Sequence, residues 1–145
     1  MEQSAAQKIR MSDMTVESIM TSAVHTVTLK MTVLEAIQMV LSKKIHGAPV
    51  VDNSNLVVSV ISEGNLLKLA AFSGLDTKIA ACLDKLPKPD KLITAKKTDT
   101  VTDIYKQFLT HQIHRIIIID GMGKLQGIVS RSNVLQVFIS SGGAT

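Results

Sequence analysis

The stretches IHGAPVVD at residues 45–52 and IHRIIIID at residues 113–120 decide the fold of this chain, because the second repeats the first after 68 positions. The same shift places Thr32 on Thr100 without any gap. Self-similarity at a fixed spacing is the sequence signature of a repeated structural unit. We therefore predict that the 145 residues contain two copies of one small unit.

The first copy is predicted to have the element order β-α-β-β-α. Thr32 is followed three residues later by Glu35, a capping-box pattern, and apolar residues then recur at helical spacing. Polar turn residues separate two short apolar runs further on, which is typical of a hairpin. The predicted elements are an extended piece at residues 24–28, a helix at 33–44, strands at 48–51 and 56–61, and a helix capped by Ser62 that ends at Phe72.

The second copy repeats this order. Its four consecutive isoleucines, residues 116–119, predict a strand that is buried on both faces. Between the copies, residues 76–86 predict a linking helix that Pro87 and Pro89 halt. The elements of the second copy are a helix opened by Thr100 and Asp103, strands at 115–119 and 125–129, and a helix capped by Ser130 that ends before Gly142.

The predicted fold class is α/β (α+β), built from tandem pseudo-twofold β-α-β-β-α repeats. One copy has too few elements to cover its own sheet, so the two copies should bury their sheet faces against each other and leave two related clefts at the seam. The predicted segments are an N-terminal arm at 1–14, the first repeat at 15–75, a linking helix and loop at 76–90, the second repeat at 91–141, and a C-terminal tail at 142–145.

The composition narrows the classes of protein. Hydrophobic residues make up 46% of the chain, which excludes a disordered protein. The net charge is +4, but the 16 Lys and Arg residues are spread along the chain, so we expect no nucleic-acid partner. No apolar stretch reaches the length of a membrane span, and we expect a cytoplasmic protein with no membrane association. The single Cys82 excludes an intramolecular disulfide and a cysteine-based metal cluster.

The repeated motifs resemble the cystathionine β-synthase (CBS) domain pair, also called the Bateman module. The resemblance covers residues 14–140 and rests on the order of the motifs, seen twice, rather than on any one of them. The matching motifs are VxxIMT at residues 16–21, TVxEA at 32–36, IHGAPVVD at 45–52, VISxxNLL at 60–67, IHRxIIID at 113–120 and GIVSxxNVL at 127–135.

The resemblance implies a regulatory module rather than an enzyme. Many members bind adenine nucleosides or nucleotides in their clefts, so AMP, ADP, ATP or S-adenosylmethionine is the implied regulatory ligand, and no cofactor is required. The resemblance also implies a homodimer of modules that regulates an effector protein, whose identity the sequence does not reveal.

Two Ser-x-x-Asn pairs stand where family members carry Ser or Thr followed by an Asp that holds the ribose hydroxyls. These pairs are Ser62 with Asn65 and Ser130 with Asn133. Asn can still donate and accept hydrogen bonds, but it lacks the charge that strengthens them. Helix capping is an equally good interpretation of both pairs, and the two roles are compatible.

The residues that enter the first long strand of each copy are also candidate ligand contacts. The resemblance implies that His114 and Arg115 contact phosphate, which a guanidinium fork favours chemically, although an exposed strand-entry pair is the alternative. Gly47 replaces Arg115 in the first copy, so the cleft that receives Arg115 should prefer the more anionic ligand. The remaining candidates are Thr26, Ile45, His46, Ala48, Pro49, Thr94, Ile113, Ile116 and Arg131.

Four functions remain open after these observations. The leading one is a sensor of an adenine nucleotide, and the second is a ligand-free scaffold for dimerisation. A nucleic-acid binder rests only on the basic composition. An enzyme is disfavoured because the sequence has no Gly-rich phosphate loop and no metal-ligand spacing among His25, His46, His111 and His114.

Overall fold

Two three-stranded sheets and their helices make up the computed structural model, which describes residues 11–143. The chain forms β1 (Val27–Thr28), α1 (Val33–Ser42), β2 (Gly47–Val51), β3 (Val57–Ser62), α2 (Glu63–Phe72), β4 (Thr94–Ala95), α3 (Val101–Thr110), β5 (Arg115–Ile119), β6 (Leu125–Ser130) and α4 (Arg131–Gly143). Strand orders are β1-β2-β3 and β4-β5-β6. The predicted fold class, a mixed α and β fold with two similar repeats, is confirmed.

The chain divides into two compact units that do not coincide with continuous stretches of sequence. The first unit contains His25–Leu92 together with Met122–Leu125. The second unit contains residues 11–24, Ile93–Gly121 and residues 126–143. Residues 1–10 of the predicted N-terminal arm and residues 144–145 of the predicted tail lie outside the described residues.

Residues 15–24, the start of the predicted first repeat, are part of the second unit. A 3-10 helix covers Val16–Ser18, and the Val16 side chain is fully buried in the core of that unit. Thr21 and Ile128 exchange two backbone hydrogen bonds of 2.9 Å, which tie the segment to β6. Thr15 precedes the 3-10 helix, where its hydroxyl makes no capping bond and its carbonyl accepts from Ser18 Oγ at 2.6 Å.

The capping box predicted at the start of α1 is present. Glu35 N donates to Thr32 Oγ1 at 3.1 Å, and Thr32 N donates to Glu35 Oε1 at 3.1 Å. The Thr32 backbone N–H and the Thr32 hydroxyl both donate to the Glu35 carboxylate, and these two bonds lower the pKa of Glu35 because they stabilise its charged form. The helix ends at Ser42, two residues before the predicted end, where Lys44 takes a left-handed conformation with φ of 55°.

The isoleucine strand β5 forms the centre of the second unit. Ile116 and Ile118 are fully buried in its main core cluster, and Ile117, which points to the opposite face, is only 5% exposed. The prediction of a strand buried on both faces is confirmed for these three residues.

Two predicted helices have different bounds in the structure. The linking helix is a 3-10 helix over Ile79–Lys85 and starts later than predicted, because Thr77 O accepts from Val33 N and ties the preceding turn to α1. The last helix continues through Gly143 instead of ending before Gly142, since glycine tolerates helical geometry at a cost of about 1 kcal/mol. Within residues 11–143, no helix is both long enough and apolar enough to cross a membrane.

Candidate functional site

Strand direction brings the candidate residues of the first repeat together. β1 and β2 are parallel, so Thr26 and the residues entering β2 lie at the same end of the sheet. β3 is antiparallel to β2 and pairs Ser62 with Gly47, so it finishes at that end. We call this group, residues 26, 45–49 and 62–65, the first cluster. The candidate side chains predicted from sequence are therefore neighbours in the first unit.

Ser62 and Asn65 form a complete capping box at the start of α2. Asn65 Oδ1 accepts from Ser62 N at 2.9 Å and from Ser62 Oγ at 2.8 Å, while Asn65 N donates to Ser62 Oγ at 3.1 Å. The capping interpretation is thus confirmed for this pair. Asn65 remains partly exposed, so capping does not remove it from contact with solvent.

The capping geometry fixes which end of the Asn65 amide is available. Its Oδ1 faces the Ser62 donors, and its Nδ2 has no hydrogen-bond partner within residues 11–143. An Asp at this position would present a second acceptor oxygen in place of Nδ2. The asparagine therefore offers a hydrogen-bond donor where the family pattern offers an acceptor.

Gly47 is required by the close approach of β3. A Cβ atom at this position would lie 2.7 Å from the carbonyl oxygen of Ile61, which belongs to the backbone of the neighbouring strand. Any side chain would force the two strands apart. This contact explains why the first repeat has glycine where the second has Arg115.

His46 and Glu63 form a polar contact beside the Ser62 cap. His46 Nδ1 and Glu63 Oε1 are 2.9 Å apart, and Glu63 N donates to His46 O at 3.0 Å. Both side chains are largely exposed. His46 is among the candidates predicted from the sequence, whereas Glu63 is not. The missed signal was the charge reversal at equivalent positions, since Glu63 falls on Arg131 after the 68-residue shift.

The second repeat assembles an equivalent group in the second unit. β4 and β5 are parallel, and Arg131 N donates to His114 O at 3.4 Å, so the end of β6 meets the start of β5. Ser130 N and Oγ donate to Asn133 Oδ1 at 2.8 and 3.0 Å, which reproduces the arrangement of the first repeat. We call residues 94, 113–116 and 130–133 the second cluster.

The Arg131 side chain is held by a hydrogen bond to the backbone carbonyl of Ile113. Its Nε donates to the Ile113 carbonyl at 2.9 Å, which orients the guanidinium at the entry to β5. Its two terminal nitrogens have no hydrogen-bond partner within the described part of the chain. The second cluster thus contains two arginines, Arg115 and Arg131, together with His114.

The candidate residues differ in how much of the side chain a ligand can reach. Ala48, Pro49 and Ile116 are buried, so they can offer a ligand little beyond their backbone groups. His46, Ser62, His114 and Arg131 are exposed or partly exposed. The remaining candidates are partly buried; they are Thr26, Ile45, Gly47, Asn65, Thr94, Ile113, Arg115, Ser130 and Asn133.

An open cleft of about 570 Å³ lies elsewhere on the first unit. It is lined by Val58, Leu83, Asp84, Pro87, Lys88, Pro89 and Asp90. None of these residues belongs to the first cluster. A volume of this size suits a small ligand in general, but the cleft is lined by none of the candidate residues predicted from the sequence.

Comparison with known proteins shows two matches to one family model. The model of the CBS domain matches residues 16–71 and again residues 85–140, which together make up more than half of the chain. The two matched stretches follow the order of the two repeats.

Curated relatives are longer than this chain. The gamma-3 subunit of 5′-AMP-activated protein kinase from Sus scrofa is 24% identical over 113 residues, covering 75% of this chain and 22% of that subunit. The chloroplastic CBS domain-containing protein CBSX2 from Arabidopsis thaliana is 28% identical over 137 residues, covering 77% of this chain and 57% of CBSX2. The chain therefore spans about a fifth of the kinase subunit and somewhat over half of CBSX2.

Solved structures share the fold. A crystal structure of CBSX2 in complex with AMP has a TM-score of 0.73 at 25% identity and covers 88% of this chain and 97% of the solved chain. The CBS domain pair of protein MJ0100, solved with 5′-methylthioadenosine and S-adenosyl-L-methionine, has a TM-score of 0.69 at 19% identity, with coverage of 90% and 98%.

Proposed function

The chain belongs to the CBS domain family, and we propose that it is a regulatory module that binds an adenine nucleoside or nucleotide and passes the signal to an effector protein. The observation that carries this proposal is the convergence of hydroxyl, amide and strand-entry groups at one sheet end in each unit. The proposal is supported by relatives of the same fold that were crystallised with AMP or with S-adenosyl-L-methionine.

Each cluster offers groups suited to a different part of such a ligand. The amides of Asn65 and Asn133 would donate to ribose oxygens, and Thr26 and Thr94 would add hydroxyl groups. Backbone groups of residues 45–48 and the carbonyl of Pro49 would read the edge of a flat base. His114 and Arg115 would donate to phosphate.

We propose that the role is binding without catalysis. No group of three His, Cys, Asp or Glu side chains in residues 11–143 is arranged to hold a metal ion. The Ser hydroxyls of both clusters are engaged in capping boxes, and neither hydroxyl is hydrogen-bonded to a histidine that would activate it as a nucleophile. Signalling would then depend on what ligand binding changes in a partner.

Calorimetry with AMP, ADP, ATP and S-adenosylmethionine tests the proposal, and we expect saturable binding of at least one of them. For adenosine, Asn133→Ala should weaken binding about tenfold through the lost hydrogen bond. Asn133→Asp keeps the cap and adds a charged acceptor for ribose hydroxyls, so it should tighten adenosine binding about fivefold. Asn53→Ala, in an exposed turn, is the control. Absence of binding of every ligand at millimolar concentration would contradict the proposal.

The alternative, a ligand-free dimerisation scaffold, is favoured by exposed leucines at equivalent helix positions. Leu67 and Leu135 are 73% and 60% exposed, and Leu41 and Leu109 are 65% and 78% exposed. Each pair is 68 residues apart. Large apolar side chains repeated on the helices of both units are typical of a surface that packs against another protein. We propose that a second copy of the chain covers them, whether or not a ligand binds.

Light scattering should therefore give the mass of a dimer, and the double substitution Leu67→Glu with Leu135→Glu should give a monomer, because buried glutamates oppose association. Lys68→Glu with Gln136→Glu introduces the same new residues at adjacent exposed positions and serves as the control. A dimer that persists in the leucine variant places the interface elsewhere. A dimer indifferent to every nucleotide would support the scaffold over the sensor.

A further inference from the structure

The first residue of the last helix has opposite charge in the two repeats. Glu63 directly follows Ser62, and Arg131 directly follows Ser130. Each lies beside a serine cap and an asparagine that are identical in the two clusters. The charge at this position is therefore one of the main chemical differences between the clusters.

Glu63 holds a carboxylate at the first cluster. Its backbone N–H bonds to the His46 carbonyl, and its Oε1 lies 2.9 Å from His46 Nδ1. No lysine or arginine within residues 11–143 forms an ion pair with it. A phosphate bound at this cluster would approach the Glu63 carboxylate, whose contact is a histidine rather than a lysine or arginine, whereas an uncharged ribose or a cationic group would not be repelled.

Arg131 provides a positive charge at the second cluster, where it would attract a phosphate. Its Nε is anchored to the Ile113 carbonyl at 2.9 Å, and its terminal nitrogens have no partner in the described part of the chain. An anchored guanidinium offers two parallel donors to a phosphate with little loss of side-chain freedom. Arg115 adds a second positive charge to the same unit.

The amide groups of the two asparagines do not distinguish the clusters by ligand charge. Both Asn65 and Asn133 direct Oδ1 toward serine, which leaves Nδ2 as a donor in both clusters. An amide N–H can donate to a ribose oxygen or to a phosphate oxygen, so it does not exclude either ligand. The selection by ligand charge must then come from Glu63 and Arg131, together with Gly47 and Arg115.

We propose that Glu63 and Arg131 are specificity-determining residues: Glu63 restricts the first cluster to uncharged or cationic adenosyl ligands, and Arg131 makes the second cluster accept a phosphorylated ligand. This inference rests on the proposed adenosyl-binding function. It predicts that the two clusters of one chain bind ligands of different charge, so that a nucleoside and a nucleotide can be bound together.

The test compares adenosine with AMP by calorimetry on the full chain. Arg131→Glu should weaken AMP binding about tenfold and leave adenosine unchanged, since it replaces a bidentate charge-assisted contact by repulsion. Glu63→Gln should strengthen AMP binding at the weaker site about fivefold, and Glu63→Arg more strongly, again without change for adenosine. Asp76→Asn, which removes an exposed carboxylate outside both clusters and outside the cleft near Asp90, is the control and should change neither affinity.

The outcomes separate the inference from the proposed function. If wild type binds none of adenosine, AMP, ADP, ATP and S-adenosylmethionine, the proposed function fails. If it binds one of the other ligands but neither adenosine nor AMP, the function stands and the specificity inference is overturned. If wild type binds adenosine and AMP and the ratio of the two affinities stays unchanged in both Arg131→Glu and Glu63→Gln, the function stands and the specificity inference is overturned. Equal thermal midpoints for wild type and variants establish that folding is preserved, and the isosteric Glu63→Gln keeps the test valid if Glu63→Arg fails to fold.

Discussion

Replacement of Ile118 by alanine should lower the free energy of unfolding by about 2–5 kcal/mol, the usual cost of truncating a buried isoleucine. Ile118 is fully buried at the centre of the second unit, in the same core cluster as Val16 and Ile104. The cavity would therefore open beside Val16, where residues 15–24 pack into the core of the second unit. Urea denaturation followed by circular dichroism measures the loss, and the thermal midpoint should fall by about 10 °C.

Ile139→Ala provides the matched control, because the chemical change is identical and the side chain is 64% exposed on α4. It should alter the free energy of unfolding by less than about 0.5 kcal/mol. Similar losses for Ile118→Ala and Ile139→Ala would contradict the burial that the structure assigns to β5.

Local sequence signals predicted most of the secondary structure. The Thr32 box and the Ser62 cap place the starts of α1 and α2 correctly, because an N-cap bond involves residues only three positions apart. The ends were less predictable: α1 stops early where Lys44 becomes left-handed, and α4 passes through its glycines. Helix ends depend on neighbouring chain segments as well as on local sequence.

The repeat pattern did not predict which chain segments make up each unit. Periodicity identifies which residues are equivalent, but it contains no information about which partner each segment pairs with. Residues 15–24 begin the predicted first repeat in sequence, yet they lie in the second unit, where Thr21 bonds to Ile128. Such pairing depends on contacts between residues about 100 positions apart, for which a single sequence gives no signal.

The candidate clusters were predicted in part. The strand directions follow from the β-α-β-β order, and they gather Thr26, His46 and Ser62 at one sheet end. What the sequence could not give was the direction of the Asn65 amide, which depends on the capping bonds. The opposite charges of Glu63 and Arg131 are visible in the aligned repeats. Only the structure shows the contacts that hold them there, from Glu63 to His46 and from Arg131 to Ile113.

Gly127→Ala should destabilise the protein by about 1–3 kcal/mol, the usual cost of overpacking a well-packed core. A Cβ atom here would lie 2.8 Å from Met20 Sδ and 2.9 Å from the Thr21 carbonyl oxygen. The flexible Met20 side chain can move aside. The Thr21 carbonyl cannot, because Thr21 and Ile128 hold each other through two backbone hydrogen bonds. Chemical denaturation of the full chain measures the loss.

The sign of this effect is decisive, because strand propensity alone predicts the opposite. Glycine within a strand costs about 0.5–1 kcal/mol relative to alanine, so an unhindered substitution would stabilise the protein. Gly121→Ala is the matched control, since no atom lies within 4 Å of the added Cβ, and it should be near neutral. A Gly127→Ala variant as stable as wild type would show that residues 20–21 do not cross β6 as closely as the structure places them.

The equivalent position in the first repeat supports the same explanation. Ser59 falls on Gly127 after the 68-residue shift, is fully buried, and donates from Oγ to the Pro87 carbonyl at 2.6 Å. Each repeat therefore has a small residue where a chain segment crosses its sheet, and the two differ only in whether a hydroxyl bonds to that segment. Gly127→Ser should consequently destabilise as much as Gly127→Ala, because the Thr21 carbonyl is already bonded and the Cβ clash remains.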